Sequence, residues 1–367
     1  MKIQSIHIHH IKMPILAPFR TAFDNTTAAE GILVRLESDG AFGWGESNPW
    51  AAPLYCGEWA SGMYGLARDF LGPRLLGQDF STGQELQANL AVFKDNRFAK
   101  AAFDLAWWDL HARQQGQPLW RILGGTSPTV EVGADFGVAE AIDELLRDIA
   151  DAERDGYKRV KLKYRPGWEI EMMREVRAAF PTMTFHVDCN SAYTLADLPM
   201  LEQLDQFGLA MIEQPLSHDD LLDHAKLQQR IQTPICLDES ITSLDKARQA
   251  IEIDAGRWVN IKPGRVGGIT NALAIHNLCE QHGIPCWIGG MLESSVGAAH
   301  CVALATLSNI KYPSDIFPSA RFYARDMGDP EMVHSAPAHF EASSEPGIGA
   351  IPNAAMLEKC TLDTVRL

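Results

Sequence analysis

VKLK (160–163) begins a series of five short apolar runs, and the others are TFHVD (184–188), LAMIE (209–213), PICLD (234–238) and WVNIK (258–262). A charged residue ends each run, and these residues lie 25, 25, 25 and 24 positions apart: Lys163, Asp188, Glu213, Asp238 and Lys262. A step of about 25 residues accommodates one strand, one loop and one helix, as in a (β/α) barrel. Catalytic residues of such barrels come from the C-terminal ends of different strands. The order therefore predicts a base, three acids and a base around one mouth.

Alternation of strand and helix patterns begins at Thr129 and continues through most of the chain. The predicted strands are 130–136, 159–164, 184–189, 209–214, 234–238, 258–262, 285–289 and 313–316. Helical periodicity falls between them, and eight such strands favour a barrel over an open doubly wound sheet. Pro/Gly-rich sequence after residue 317 indicates that the tail leaves the barrel.

The part of the chain before the barrel has a different pattern. The alternating segment 2–15 predicts a strand, and 31–38 and 40–47 predict two more that are joined by an Asp-Gly turn. Apolar residues at helical spacing in 96–116 predict a long helix. Because strands come first and helices follow, we expect a small α+β domain here.

Composition limits the possible functions. The 367 residues carry a net charge of −15 and no basic block, which argues against nucleic acid as a partner. The seven cysteines are dispersed without a C-x-x-C pair, as is typical of reduced thiols. No apolar run is long enough to span a membrane, and no signal-peptide pattern is present. We therefore expect a cytoplasmic protein without a membrane partner.

Asp188, Glu213 and Asp238 would converge at the barrel mouth. Three carboxylates placed together repel one another unless a cation joins them. Their hard oxygen ligands suit Mg²⁺, with Mn²⁺ as a substitute. Taken singly, each acid also fits a helix N-cap or a surface position, but the equal spacing favours a metal site.

Lys161 and Lys163 alternate with apolar residues on one strand, so both side chains are expected to face the barrel interior. Two neighbouring ammonium groups disfavour each other's charge and depress a pKa, which would provide a base near neutral pH. Lys262 lies four strands further on, which is the opposite wall of an eight-stranded barrel. One lysine is thus expected on each face of a substrate.

Other polar residues near the strand ends are candidates for supporting roles. Asn190 is expected on the same side as the first carboxylate, whereas Glu239, next to the last one, is expected to point elsewhere. The glycines of GGMLESS (289–295) would let the backbone approach a ligand, where Glu293 could accept or donate a hydrogen bond. Asp315, on the eighth predicted strand, could pair with a lysine.

Two other classes of function have some support. His7 and His9 form an H-x-H pattern that also occurs in metal-dependent hydrolases, but no later histidine recurs at the strand ends. A solvated strand face explains the pair better. A non-catalytic binding protein is the second alternative, and it would not need two opposed lysines.

Five motifs occur in a fixed order: K-x-K, D-x-N, E-Q-P, D-E-S and K-P-G-R-V-G-G. Their detailed forms are VDCNSAYTL (187–195), MIEQPL (211–216), LDESI (237–241), NIKPGRVGG (260–268) and GGMLES (289–294). In these motifs the chain resembles the enolase superfamily, muconate-lactonizing-enzyme subgroup, and is most similar to o-succinylbenzoate synthases and N-succinylamino acid racemases. The resemblance covers nearly the whole chain.

The resemblance implies an α/β fold with two parts. An N-terminal α+β capping domain would span 1–125, and the tail 319–367 would pack back on it. A modified (β/α)8 TIM-type barrel, with the arrangement (β/α)7β, would span 126–318.

The resemblance also implies roles for residues. The three carboxylates would bind one Mg²⁺, Lys163 and Lys262 would be the acid/base pair, and Lys161 would assist them. The shared step is abstraction of a proton α to a carboxylate through a metal-stabilised enediolate. Asn190 and Asp315 would support the site. The implied substrate contacts are Phe19, Arg20, Thr21, Asp135, Arg265, Gly290, Met291, Glu293 and Ser294.

Two reactions fit the same constellation. A synthase is a carbon–oxygen lyase that forms o-succinylbenzoate by dehydration, which would place the enzyme in menaquinone biosynthesis. An N-acylamino acid racemase is the alternative, and a dipeptide epimerase or another dehydratase is a more distant one. The partner would be a small-molecule carboxylate, and we expect a homo-oligomer.

Three positions depart from the usual residues of the similar enzymes. Ser295 stands where glycine is usual, Ala298 where arginine is usual, and Asp135 where a small hydroxyl residue is expected. An acidic group at 135 would repel a succinyl carboxylate unless it were protonated or paired. These departures bear on the substrate rather than on the metal and lysines.

Overall fold

A computed structural model describes residues 1–20, 25–164 and 166–367. Its strands are β1 Ser5–Arg20, β2 Asn25–Ser38, β3 Ala41–Ser47, β4 Thr129–Glu131, β5 Ala134–Phe136, β6 Arg159–Lys163, β7 Thr184–Asp188, β8 Ile212–Glu213, β9 Ile235–Leu237, β10 Trp258–Ile261, β11 Cys286–Ile288, β12 Gly328–Asp329, β13 His339–Glu341, β14 Ile351–Pro352 and β15 Thr361–Arg366. Eleven of these strands form a curled parallel sheet and a separate N-terminal antiparallel sheet. The other four form two antiparallel pairs, β12 with β14 and β13 with β4.

The helices lie between and around these strands. They are α1 Ala60–Leu66, α2 Gly72–Leu75, α3 Gly83–Leu90, α4 Arg97–Gln114, α5 Leu119–Ile122, α6 Ile142–Arg154, α7 Glu169–Ala179, α8 Leu198–Leu201, α9 Leu222–Gln228, α10 Leu244–Glu252, α11 Pro263–Val266, α12 Ile269–Gln281, α13 Ser295–Ala305 and α14 Ala354–Cys360. Ala67–Leu71 forms a π-helical turn, and short 3₁₀ turns occupy Leu195–Asp197, Glu202–Phe207 and Ser319–Arg321. No helix among the described residues has the length and apolar character needed to cross a membrane.

The N-terminal sheet, which we call the cap sheet, has the antiparallel order β15-β1-β2-β3. The predicted turn between β2 and β3 is confirmed, since Asp39 and Gly40 both have positive φ. The predicted long helix is α4, which packs on β3. Gly43 and Gly45 permit this approach, because a Cβ at either position would lie within 2.2 Å of an α4 backbone atom. The cap sheet and α4 therefore share one apolar core.

The parallel sheet has seven strands in the order β11-β10-β9-β8-β7-β6-β5. The predicted eighth strand, 313–316, is wrong as a regular strand. Backbone hydrogen bonds nevertheless join Asp315 N to Ile288 O on one side and Gly133 N to Ser314 O on the other. Pro313 has no N–H to donate, which explains why the ladder is incomplete there. The segment still closes the barrel.

The tail contacts both parts of the fold. β15 pairs with β1 at the edge of the cap sheet, and β13 pairs with β4 at the start of the barrel region. The division into 1–125, 126–318 and 319–367 therefore remains a prediction.

Candidate active site

The five charged residues that end the apolar runs lie at the C-terminal ends of neighbouring strands. Lys163, Asp188 and Glu213 are in-register partners across β6, β7 and β8. Asp238 and Lys262 directly follow β9 and β10. A cavity opens here, lined by Phe19, Trp50, Tyr55, Asp135, Lys161, Lys163, Asn190, Lys262, Gly290, Met291, Leu292, Asp315 and Phe317. Because side chains alternate along a strand, these five charged side chains point to one mouth of the barrel.

Lys161 is the centre of a buried ion-pair network. Its Nζ lies 3.0 Å from oxygens of each of Asp188, Glu213 and Asp315. Burial alone would lower the pKa of Lys161, but these three carboxylates outweigh it and hold the pKa well above its usual value. The predicted pairing of Asp315 with a lysine is confirmed. The expectation that one lysine of the pair would have a depressed pKa is wrong for Lys161, because carboxylates rather than Lys163 dominate its surroundings.

Lys163 and Lys262 line the same cavity from the ends of β6 and β10, which lie four steps apart in the sheet. Lys163 Nζ donates to Asp188 Oδ2 at 2.6 Å, and Lys262 Nζ donates to Asp238 Oδ2 at 2.8 Å. Lys262 Nζ also lies 4.9 Å from the centre of the Tyr55 ring. Burial opposes the charge of Lys262, but Asp238 raises its pKa above the usual value. Each lysine is therefore held at the mouth by a different carboxylate.

Asp238 is a buried carboxylate that several donors stabilise. Arg265 Nη1 pairs with its Oδ1, Arg265 Nε donates to Ile241 O at 2.9 Å, and Tyr55 OH donates to the same Oδ1 at 3.3 Å. Burial would raise the pKa of Asp238, but Arg265 and Lys262 lower it. Burial likewise opposes the ionisation of Asp188, and Lys161 and Lys163 reverse that effect and lower its pKa. Both carboxyl groups are thus kept ionised.

Glu239 contradicts its predicted orientation. It is buried, and Asn190 Nδ2 donates to its Oε1 at 3.5 Å, so it adjoins the site. β9 ends at Leu237, so strand alternation does not apply to the turn that follows. Burial and the neighbouring Asp238 hold the pKa of Glu239 well above its usual value.

The residues present fit a divalent cation. As placed, the His, Cys, Asp and Glu side chains of the described residues form no ready cluster of three around a metal position, because ammonium groups lie against the carboxylates. Carboxyl groups nevertheless outnumber cationic groups here. The ion-pair network joins Arg159, Lys161, Lys163, Lys262 and Arg265 to Asp188, Glu213, Asp238 and Asp315. Asp135, Glu239 and Glu293 adjoin it without an ion pair among the described residues, and burial raises the pKa of all three.

A buried acceptor points to the same conclusion. Asn190 Oδ1 accepts no hydrogen bond in the described part of the chain. Unsatisfied buried acceptors are costly in a protein interior, and Mg²⁺ binds carboxylate and amide oxygens. The set of carboxylate and amide oxygens therefore suits a hard dication.

Four of the predicted substrate contacts line the cavity: Phe19, Asp135, Gly290 and Met291. Asp135 Oδ1 is buried and accepts no hydrogen bond from the described residues. A Cβ on Gly290 would lie 2.7 Å from Asp315 O, so glycine is required for this close approach. Thr21 lies outside the described residues.

The other predicted contacts are engaged elsewhere. Arg20 pairs with Glu140 on an exposed surface, and Arg265 is bound to Asp238. Glu293 Oε2 accepts from Met291 N at 2.8 Å. Ser294 donates from both its N and its Oγ to Glu46. The structure thus places these four residues behind the cavity wall or outside it.

Sequence reasoning missed several residues of the site. Trp50 and Tyr55 come from the segment after β3, and nothing in their local pattern predicts a contact with the barrel. Asn260 Nδ2 donates to Glu213 Oε1 at 2.7 Å. Its position on β10, two residues before Lys262 at the end of the predicted strand 258–262, was a signal that could have identified it.

Comparison with known proteins assigns the family. Residues 3–124 match the mandelate racemase/muconate lactonizing enzyme N-terminal domain, and residues 144–356 match the enolase C-terminal domain-like family. The chain belongs to the enolase superfamily. Members of this superfamily generally use Mg²⁺.

Named relatives of this enolase-superfamily chain include o-succinylbenzoate synthases and N-succinylamino acid racemases. It is 43% identical over 363 residues to an o-succinylbenzoate synthase of Geobacillus kaustophilus, covering 98% of the chain and 96% of the relative. It is 41% identical over 362 residues to an N-succinylamino acid racemase of Thermus thermophilus, covering 99% and 98%. An enolase-superfamily structure from Listeria innocua superposes with a TM-score of 0.96 at 35% identity, covering 100% of this chain and 99% of that one. The predicted family and barrel fold are confirmed.

Proposed function

We propose that this enzyme removes a proton α to a carboxylate. Formation of o-succinylbenzoate is the first candidate for its reaction. The observation that supports the proposal is that Lys163 and Lys262 line one cavity from strands four steps apart in the sheet, each hydrogen-bonded to a carboxylate. The identity to named synthases supports the choice of reaction.

Asp188, Glu213 and Asp238 would hold Mg²⁺, with Asn190 and Asp315 as supporting residues. When bound, Mg²⁺ supplies electrostatic stabilisation for the charge that develops on a substrate carboxylate. Asp315 keeps Lys161 charged and fixed between two of the carboxylates. Arg265 holds Asp238 in place from behind.

The lysines carry the proton chemistry. In the synthase reaction, Lys163 takes the α-proton and returns it to the β-hydroxyl, which leaves as water while a carbon–carbon double bond forms. The charge of Lys262 stabilises the anionic substrate from the other face. Lys163 accepts a proton only in its uncharged form, so its ammonium proton must first leave. A positioned general base of this kind contributes about 10²–10⁴-fold in rate.

N-Succinylamino acid racemisation is the second candidate. Two lysines on opposite faces are the arrangement that exchange of a proton between the faces of one carbon requires. The identity of 41% to named racemases supports this reading. Since the same residues serve both reactions, the substrate must be settled by measurement.

Proton NMR in D₂O with Mg²⁺ tests both reactions. The protein is incubated with the synthase substrate and, separately, with a panel of N-succinylamino acids. Formation of an aromatic product supports the synthase, and deuterium at Cα of recovered substrate supports the racemase. Absence of both with the wild-type protein contradicts the proposal.

A further inference from the structure

Two buried carboxylates of the N-terminal region reach across to the barrel. Glu46 lies near the end of β3, and Asp104 lies in α4. Both are almost fully buried, and neither has an ion-pair partner among the described residues. Each instead accepts hydrogen bonds from the start of a barrel helix. The residues that precede each helix in the chain belong to the mouth of the barrel.

Glu46 binds the start of α13. Its Oε1 accepts from Ser294 N at 2.8 Å and from Asn48 Nδ2 at 2.8 Å, and its Oε2 accepts from Gly297 N at 3.1 Å and from Ser294 Oγ. The first N–H groups of a helix lack intrahelical partners and carry partial positive charge. They can therefore hold a buried carboxylate that has no cationic partner.

This contact fixes one wall of the cavity. The cavity is lined by Gly290, Met291 and Leu292, and Ser294 follows two residues after the last of them. Leu292 has a φ of 57°, a conformation that is strained for leucine. Its carbonyl accepts from Asn48 Nδ2 at 3.4 Å and from Tyr323 OH at 2.6 Å. The wall is thus tied to residues outside the barrel strands.

Asp104 makes the equivalent contact with α12. Its Oδ1 accepts from Thr270 N at 3.0 Å, and its Oδ2 accepts from Gln87 Nε2 at 2.8 Å. A Cβ on Gly268 would lie 2.3 Å from Asp104 Oδ1, so the carboxylate presses against the glycine turn. That turn connects α12 to the strand end that bears Lys262.

We propose that Glu46 is a positioning residue that holds the wall formed by Gly290, Met291 and Leu292, and that Asp104 holds the segment behind Lys262. Neither carboxylate touches the cavity. Glu46 acts through the start of α13, and Asp104 acts through the start of α12. Only the kinetic part of the test rests on the proposed proton transfer.

Hydrogen–deuterium exchange measures the positioning role without any substrate. In Glu46→Gln, an amide N–H group replaces an acceptor that faces the donors of Ser294 and Gly297. We expect faster exchange in 289–297 and unchanged exchange in 263–272. Asp104→Asn should give the reverse pattern. If Glu46→Gln does not fold, Ser294→Ala, which removes only the hydroxyl donor, replaces it.

Glu30→Gln is the matched control. Glu30 is also a buried carboxylate of the cap sheet, but its partners His10 and Lys12 lie on β1. This variant should leave exchange unchanged in both barrel segments. Equal exchange in Glu46→Gln and Glu30→Gln would overturn the proposal, whatever the activity of the protein.

Kinetics separates positioning from general stability. Because the wall touches the substrate and not the transferred proton, Glu46→Gln should raise KM about tenfold, with a smaller change in kcat. A fall in kcat alone, at unchanged KM, would contradict the role. If the wild type turns over neither substrate, the proposed function fails and the exchange data still decide on Glu46.

Discussion

Lys163 and Lys262 line one cavity from strand ends four steps apart in the sheet, and each donates to a carboxylate of its own, Asp188 or Asp238. The ammonium groups are therefore fixed in position before a substrate arrives. Fixed groups on two sides of a reacting carbon favour proton transfer.

Removal of either lysine should strongly lower kcat. Lys163→Ala and Lys262→Ala should each lower kcat by at least about 10²-fold, because a positioned acid or base is lost. With a racemase substrate, each variant should exchange the α-proton of one enantiomer far faster than that of the other. NMR in D₂O reports both effects. Lys226→Ala, on an exposed helix surface, is the control, and full turnover by Lys163→Ala would exclude the proposed base.

Mg²⁺ should stabilise the folded protein. A ligand at about 100 times its Kd contributes about 2.7 kcal/mol when it binds only the native state. Tm should rise with Mg²⁺ in the wild type and fall back with a chelator. Asp188→Asn should show no such rise, whereas Glu252→Gln, on an exposed ion pair, should keep it. An equal rise in Asp188→Asn would place the metal elsewhere.

Asp315 should contribute strongly to stability. It pairs with Arg159 at 2.7 Å and with Lys161 at 3.0 Å, and all three side chains are buried. Asp315→Asn leaves two buried cations short of a partner, so the free energy of unfolding should fall by about 3–5 kcal/mol. Denaturant titration measures the change. Glu252→Gln, which breaks the exposed pair with Arg248, should cost less than about 1 kcal/mol.

Glu46 should make stability depend on pH. Burial raises its pKa from 4.5 to about 7, although hydrogen bonds from Ser294 and Asn48 oppose the rise. The titratable groups that face it are Glu293, Cys301, Tyr323 and Cys360. Between pH 4.5 and 7 the folded state binds the extra proton, so the contribution of Glu46 to stability falls as pH rises.

Glu46→Gln cannot titrate, and this isolates the effect. Its free energy of unfolding should rise relative to that of the wild type as pH rises through the same window, because only the wild type loses the contribution of Glu46. Denaturant titrations at several pH values measure the difference. A constant difference between the two proteins would show that Glu46 does not titrate in this range.

Asp135 should select against a succinyl carboxylate. Burial raises the pKa of Asp135, so the comparison is made at a pH above that pKa, where the group is charged. There Asp135→Ser removes a negative charge from the cavity wall, and kcat/KM for an N-succinylamino acid should rise roughly tenfold, because like charges placed together are unfavourable. The matched N-acetylamino acid, which lacks the second carboxylate, should change little. An equal change for both substrates would point to a change of shape rather than of charge.

The sequence predicts those features that depend on strand position. The spacing from Lys163 to Lys262 follows from a repeated strand–helix unit, and alternation within a strand directs Lys161 and Lys163 inward. Both rules act within one element or between neighbours. They therefore predict the barrel and the convergence of its strand ends.

Features that depend on distant segments were missed or wrong. Asp188, Asp315 and Glu213 together raise the pKa of Lys161, and Asp315 does so from 154 residues away. Ser294 is bound by Glu46, 248 residues away. Glu239 lies beyond the end of its strand, where alternation no longer applies. No local pattern in one chain reports such partners.

The pairing of β1 with β15 constrains how the protein is made. Thr364 Oγ1 donates to Ile8 O, and these residues are 356 positions apart. During translation, β1 emerges early. Its edge that pairs with β15 stays unpaired until β15 has left the ribosome. An unpaired strand edge is a site for association with other chains. Nascent chains that lack residues 361–366 should therefore depend more on chaperones than the finished protein does.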